Sequence, residues 1–217
     1  PVAGVCARLA CKSFRKNGLK VIYTAHGFHF YRGAPLKNWL VYYPIEKYCS
    51  RFTDVLITIN QEDYALAKKK MKAKKTEYVP GVGIDVDKFK NTVVDRTAKR
   101  KELGIPENAF LLLSVGELNA NKNHQIVIRA LAQLNDSNIH YMIAGKGDLH
   151  DELIDLANRL GVAEQVHLLG YRNDVAELYK TADVYCLPSI REGLNVSVME
   201  AMASGLPCAK IGRAVQQ

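Results

Sequence analysis

From Phe110 onward two patterns alternate along the chain, and this alternation limits the possible folds more than any other feature. The apolar runs at 110–116, 139–145, 166–170 and 184–187 are too short for buried helices and end in Gly or polar loops, so they read as strands. Between and after them, 123–134, 148–160, 174–180 and 195–204 read as helices, the last stopped by Gly205 and Pro207. Repeated βα units demand parallel strands, right-handed crossovers and helices on both faces. The expectation for 93–217 is therefore a Rossmann-like α/β domain whose loops gather on the ligand-binding edge of one sheet.

The same logic runs more loosely through residues 1–92. A helix is expected over 1–16, stopped at Asn17-Gly18, then strands at 20–25, 54–60 and 76–80. Helices are expected at 33–51, interrupted by Pro44, and at 61–71, and the Gly-rich, charged segment 81–89 suits a hinge. After it come a basic helix, 95–103, and a Gly104-Ile105-Pro106 break.

The chemistry concentrates between Asp183 and Pro207, where a strand, a loop and a helix carry two carboxylates, Glu192 and Glu200. Val198, Met199, Ala201 and Met202 surround Glu200, so the helix is expected to be buried, and a buried carboxylate needs partners. Those partners are either an internal ion pair or ligand hydroxyls. Gly193, Leu194 and Asn195, at the helix start, would offer backbone N–H groups to an anion.

The run Arg191-Glu192-Gly193-Leu194-Asn195-Val196-Ser197-Val198-Met199-Glu200, continuing to Pro207, resembles the E-x7-E signature of the retaining glycosyltransferases of family 4. That resemblance implies the GT-B architecture, two Rossmann-like domains, here with the first incomplete over 1–92 and the second, 93–217, truncated at its end. It assigns the donor sugar to Glu192 and the ribose hydroxyls of the nucleotide to Glu200. Thr24-Ala25-His26-Gly27 resembles the family's His-Gly, whose His lies near the donor sugar and phosphates, so His26 joins Glu192 as a catalytic candidate. On the residues alone the better reading of His26 is a loop histidine bonded to a carbonyl.

Three further loops extend the resemblance. In Gly116-Glu117-Leu118-Asn119-Ala120-Asn121-Lys122, Lys122 matches the family's phosphate-binding Lys, while Glu117 stands where many members carry a second phosphate-binding Arg; Arg191 is a candidate substitute. Gly145, in Ala144-Gly145-Lys146-Gly147, would border the nucleotide, although a Gly-x-Gly is also a plain tight turn. Tyr171 and Arg172 present planes that could stack on the base. The implied reaction transfers a sugar from a nucleotide diphosphate, a UDP-sugar by resemblance, to a saccharide or lipid-diphosphate-linked acceptor in surface polysaccharide assembly. It requires no cofactor and no metal. Asp85-Val86-Asp87 looks like a metal-binding Asp-x-Asp, but its surroundings match the interdomain segment of the GT-B family instead.

Charge separates the two parts: residues 1–92 carry a net +10 and residues 93–217 a net −2. The excess favours an anionic partner. Aromatic and basic residues mixed over 33–51, with Trp39, Tyr42 and Tyr43 beside Lys37, Lys47 and Arg51, suggest peripheral contact with an anionic membrane, or else core packing. The Lys-rich run 68–75 lacks interleaved aromatics and reads as a solvated helix end, so nucleic acid is not the expected partner. Five cysteines without a Cys-x-x-Cys, and no long apolar run, lead to an expected cytoplasmic location, peripheral at most on the inner face of the membrane. Pro1 in place of Met, with family members much longer, suggests a piece of a larger chain. The competing readings are a sugar-nucleotide epimerase or sugar-phosphate synthase of the same architecture, and a basic module binding nucleic acid or anionic lipid.

Overall fold

A computed structural model describes residues 2–81, 83–190, 192 and 195–210. They form two compact units, one ending at Gly83 and the other beginning at Ile84.

The first unit holds α1 (Val2–Ala10), β1 (Ile22–Ala25), α2 (Leu36–Ser50), β2 (Val55–Thr58), α3 (Gln61–Lys70) and β3 (Lys75–Tyr78). Its three strands are parallel, in the order β1-β2-β3, with Ile22 opposite Val55 and Val55 opposite Lys75. The expected helix over 1–16 is shorter: α1 ends at Ala10, and Phe14–Asn17 is a separate 3-10 turn closed by Gly18 in the left-handed conformation. Arg15 holds that turn, pairing with Asp54 at 2.9 Å and reaching the Arg51 carbonyl.

Pro44 does not interrupt α2. It lies inside the continuous helix on the solvent side, and the carbonyl it leaves unpaired belongs to exposed Leu40, where water can satisfy it. Trp39 and Tyr43 turn inward onto Phe30, at ring-centroid distances of 5.6 and 5.4 Å, so these aromatics pack the core. The Lys-rich run ends α3; Lys74 then pairs with Asp54 and Lys75 with Glu77.

The second unit begins with α4 (Val86–Asn91) and α5 (Arg96–Glu102), so the break falls before the segment expected as a hinge has finished. Asp85 caps α4, accepting from the Lys88 N–H, and Phe89 is buried in the second unit's core. The regular alternation follows: β4 (Phe110–Val115), α6 (Gln125–Leu134), β5 (Ile139–Ala144), α7 (His150–Arg159), β6 (Val166–Gly170), α8 (Val175–Thr181), β7 (Val184–Leu187) and α9 (Val196–Ala203). A last strand, β8 (Cys208–Lys210), was not expected; three residues after Pro207 carry too little pattern to read. All neighbouring strands are parallel, in the order β6-β5-β4-β7-β8. One core layer forms around Leu111, Leu113, Met142 and Tyr179, the other around Ile128, Leu131, Tyr141 and Leu156.

Asp183 ties the entry of β7 to this sheet. Its carboxylate accepts from the Leu111 N–H at 2.7 Å and from Arg100 at 2.8 Å, with Arg96 alongside. Arg100 is 4% exposed and also donates to the Glu107 and Ala109 carbonyls. Removing one member of such a network leaves the others unpaired. Arg100→Ala should destabilise the second unit by about 3 kcal/mol, read from its chemical denaturation, with Asp183→Asn costing less because the amide still accepts from Leu111.

Candidate active site

The strand order fixes where a ligand can bind. Chain progression runs from β4 outward through β5 to β6, then returns to the other side of β4 with β7 and β8. At such a reversal the loops leaving the two central strands part in opposite directions, and a crevice opens at their C-terminal ends. Flanking this crevice are the loop 116–124 after β4, which carries Lys122, and residues 188–190 and 192 after β7, which include Glu192.

The structure joins these two residues. Lys122 Nζ lies 2.7 Å from Glu192 Oε1, with both side chains largely shielded, at 19% and 14% exposure. Burial raises the Glu192 carboxyl, but the hydrogen-bonded Lys122 charge, with the polar side chains of Ser189 and Asn195 nearby, outweighs it and holds the group below the usual carboxylate range. The loops are also stitched through the backbone, Ile190 N–H donating to the Asn121 carbonyl at 2.8 Å.

Asn195 has a local task. Its side-chain oxygen caps α9, accepting from the Val198 N–H at 3.1 Å and from the Ser197 hydroxyl at 2.7 Å. Ser197 Oγ also lies 3.1 Å from the Val115 carbonyl, setting the start of α9 against the end of β4.

Glu200 is half-buried, not enclosed as expected, because α9 is apolar without being covered: Met202 is 65% exposed, and only Ala201 is fully buried. The Tyr179 hydroxyl donates to Glu200 at 3.0 Å. Burial raises the Glu200 carboxyl above its ordinary value, against the lowering effects of that hydrogen bond and of the Lys88 charge. Each carboxylate thus has its own partner: Glu192 stays ionised, while Glu200 is the easier of the two to protonate.

Gly145 has a structural role that Gly-x-Gly alone did not reveal. A Cβ there would overlap the Gly116 carbonyl, and one at Gly147 would overlap that of Leu118, so both glycines let the loop after β5 lie against the loop after β4. Hydrogen bonds from Gly116 N–H to Ala144 and from Leu118 N–H to Lys146 seal the contact. Tyr171 is 69% exposed and available for stacking. Arg172 is committed elsewhere: it pairs with both Asp174 oxygens and with Glu102, and its pKa is raised, chiefly by Asp174. Arg191, Gly193 and Leu194 lie outside the described residues.

His26, in the first unit, is exposed just past β1 and lines a cleft of about 540 Å³ with Tyr23, Phe28, His29, Tyr42 and Glu46. Among the described residues no group of three His, Cys, Asp or Glu side chains is placed to hold a metal ion.

Sequence reasoning missed the supports beneath these residues. Tyr179 is one; the other is a buried relay in which His124 meets the Tyr141 hydroxyl at 2.8 Å, Tyr141 donates to Ser114, and Ser114 donates to the Cys186 carbonyl. These contacts join residues far apart in sequence, and only His124, two positions after Lys122, had a local signal.

Together these features define a polar crevice at the strand-order reversal of a parallel α/β sheet. Residues 95–210 match the family described as "Glycosyl transferases group 1". The chain belongs to that family. It is 43% identical over 211 residues to EpsD of Bacillus subtilis (strain 168), a protein named as a glycosyltransferase, the match covering 95% of this chain and 55% of that one. It is 31% identical over 195 residues to the UDP-Gal:alpha-D-GlcNAc-diphosphoundecaprenol alpha-1,3-galactosyltransferase of Escherichia coli, covering 87% and 50%. Among solved structures, Anabaena HepE in complex with UDP-glucose superposes with a TM-score of 0.80 at 24% identity, over 97% of this chain and 58% of that one. This likeness places the chain in the GT-B fold. The chain spans about half the length of the curated relatives it matches.

His124 tests how the loop carrying Lys122 is held. Burial, helped by the Lys122 charge, lowers its pKa to about 4 from an ordinary 6.5. The unfolded chain therefore binds the proton first, so stability should fall as pH drops from 6.5 towards 4. His124→Gln should make that slope shallower, measured by denaturation across this range, while leaving the contribution of His167, also lowered to about 4.

Proposed function

We propose that the protein is a retaining family 4 glycosyltransferase that moves a hexosyl group from a UDP-sugar to a saccharide or lipid-diphosphate-linked acceptor, without a metal, in surface polysaccharide assembly. The observation that carries this reading is the Lys122–Glu192 pair at the point where strand order reverses. Support for the donor comes from the UDP-glucose bound by HepE, and for the acceptor class from the substrate named for the E. coli relative.

Within this reading the anomeric carbon–oxygen bond to the diphosphate breaks and a bond to the acceptor oxygen forms on the same face. The acceptor's proton passes to the departing phosphate. The difficult quantity is the charge growing on that diphosphate, which Lys122 would meet as a fixed cation. Freed from Lys122, Glu192 would accept from the sugar's hydroxyls, and Glu200, held by Tyr179, from the ribose. Tyr171 would stack on the base. His26 would orient the donor sugar and phosphates.

The test is a thermal-shift screen of UDP-, GDP- and ADP-sugars on the full-length protein, followed by transfer of labelled sugar to a lipid-diphosphate acceptor. UDP-sugars should give the largest shift. Lys122→Ala and Glu200→Ala should each weaken donor binding by roughly tenfold or more, the loss of one charged hydrogen bond, and His26→Ala should lower transfer more than binding. A donor that is isomerised and not transferred would overturn the reading. Because Tyr179 lowers the Glu200 pKa, Tyr179→Phe should move the acid-side loss of donor affinity to higher pH.

A further inference from the structure

Asn123 stands between two side chains that leave the chain in different directions. On one side Lys122 reaches across the crevice to Glu192, 2.7 Å away. On the other, His124 is 3% exposed and meets the Tyr141 hydroxyl beneath the loop at 2.8 Å. In an extended chain, side chains two positions apart share one face. The turn at Asn123 parts them.

That turn is made in the left-handed region, with φ at 53°. A Cβ makes this conformation costly, and Asn tolerates it better than other residues because its short amide bonds to nearby backbone. Among the described residues one other non-glycine residue has a positive φ, Asn135, and it closes α6, where helices commonly end in this way. Asn123 comes before α6, so no helix ending explains it.

The surroundings hold the turn from both sides. The Asn123 carbonyl accepts from the Ile126 N–H at 3.1 Å, and its side-chain amide donates, at 3.4 Å, to the Pro188 carbonyl in the segment that leads to Glu192. Just before it, the Lys122 N–H donates to the Asn119 side-chain oxygen at 3.0 Å. A strained residue fixed by its neighbours beside a site points to a use for the strain.

We propose that Asn123 is a positioning residue, whose left-handed backbone aims Lys122 into the crevice where the diphosphate of a nucleotide sugar would lie. The ligand named here rests on the transferase reading; the geometry does not. Gly enters the left-handed region freely, Ala at a cost, and β-branched Val at a greater one. With Ala or Val the loop relaxes and withdraws the cation, and a ligand must then draw it back, so the cost is felt in affinity. A turn that served the fold alone would show the same cost in stability.

The experiment compares the full-length wild type with Asn123→Gly, Asn123→Ala and Asn123→Val. Three quantities are measured: UDP-glucose affinity by calorimetry, melting temperature, and acetylation of the Lys122 amine by acetic anhydride, mapped by mass spectrometry against the other lysines. Asn123→Ala should bind roughly fivefold more weakly and Asn123→Val roughly tenfold or more, with Lys122 acetylated faster in both. Asn123→Gly should recover binding to within about twofold of wild type, although it lacks the amide that reaches Pro188. Lowered melting temperatures with unchanged affinity in the Ala and Val variants would overturn the proposal. So would a Gly variant as weak as the Ala variant, which would assign the effect to the side chain and not to the backbone. If no nucleotide sugar bound the wild type, the transferase reading would fall and acetylation would decide this proposal alone: faster labelling of Lys122 in the Ala and Val variants supports it, and equal labelling in all four proteins overturns it.

Discussion

The placement of β7 beside β4 is the constraint on which the second unit depends. Had β7 continued outward from β6, the loops after β4 and β7 would lie at distant points along the sheet edge, and Lys122 could not reach Glu192. The adjacency is secured at both ends of the strand pair. At the entry, Asp183 accepts from the Leu111 N–H and binds Arg100, so β7 starts in register with β4. At the exit, Tyr185 donates to the Val115 carbonyl and Ser197 Oγ lies 3.1 Å from it, so the chain leaving β7 folds back over the end of β4.

Packing then tightens the crevice that topology opens. The loop after β5 lies against the loop after β4 because Gly145 and Gly147 have no side chains to intervene. Beneath them the His124–Tyr141–Ser114 relay, joined through His124 Nδ1, runs under the β4 loop and ends on the Cys186 carbonyl of β7 itself. A polar network satisfied at each of these steps is stiffer than an apolar contact of the same size, because each hydrogen bond fixes an angle as well as a distance. The position of Lys122 is thus set from below as well as from across the crevice.

Much of this was legible in the sequence, and the gaps have a common cause. Short apolar runs and amphipathic segments depend on local pattern, so the parallel α/β architecture of the second unit could be read directly. Lys122 and Glu192 could be singled out one by one, but not their contact, which spans seventy positions and depends on strand order. Pro44 was misjudged because a local rule about a missing N–H was applied without knowing that the affected carbonyl faces solvent. Trp39, Tyr42 and Tyr43 suggested a membrane surface by composition, yet the helix turns Trp39 and Tyr43 onto Phe30 and leaves Leu36, Leu40 and Val41 outside. Arg172 has a plane suited to stacking on a base, but Asp174, two residues on, was the nearer clue to what it does.

The Lys122–Glu192 pair sets an electrostatic condition on any ligand that would take its cation. A partly buried carboxylate with a single cationic partner would become an uncompensated charge once that partner was drawn to a ligand, a penalty large enough to oppose binding. Glu192 has further support: Ser189 and Asn195 also stabilise its ionised form, and Asn195 is itself fixed because its oxygen caps α9. Under the proposed transferase reading, an incoming diphosphate would draw Lys122 away while the carboxylate gained the hydroxyls of the attached sugar. Under that exchange the ion pair seen here is a resting arrangement, and the energetic cost of opening it is offset by the ligand that opens it.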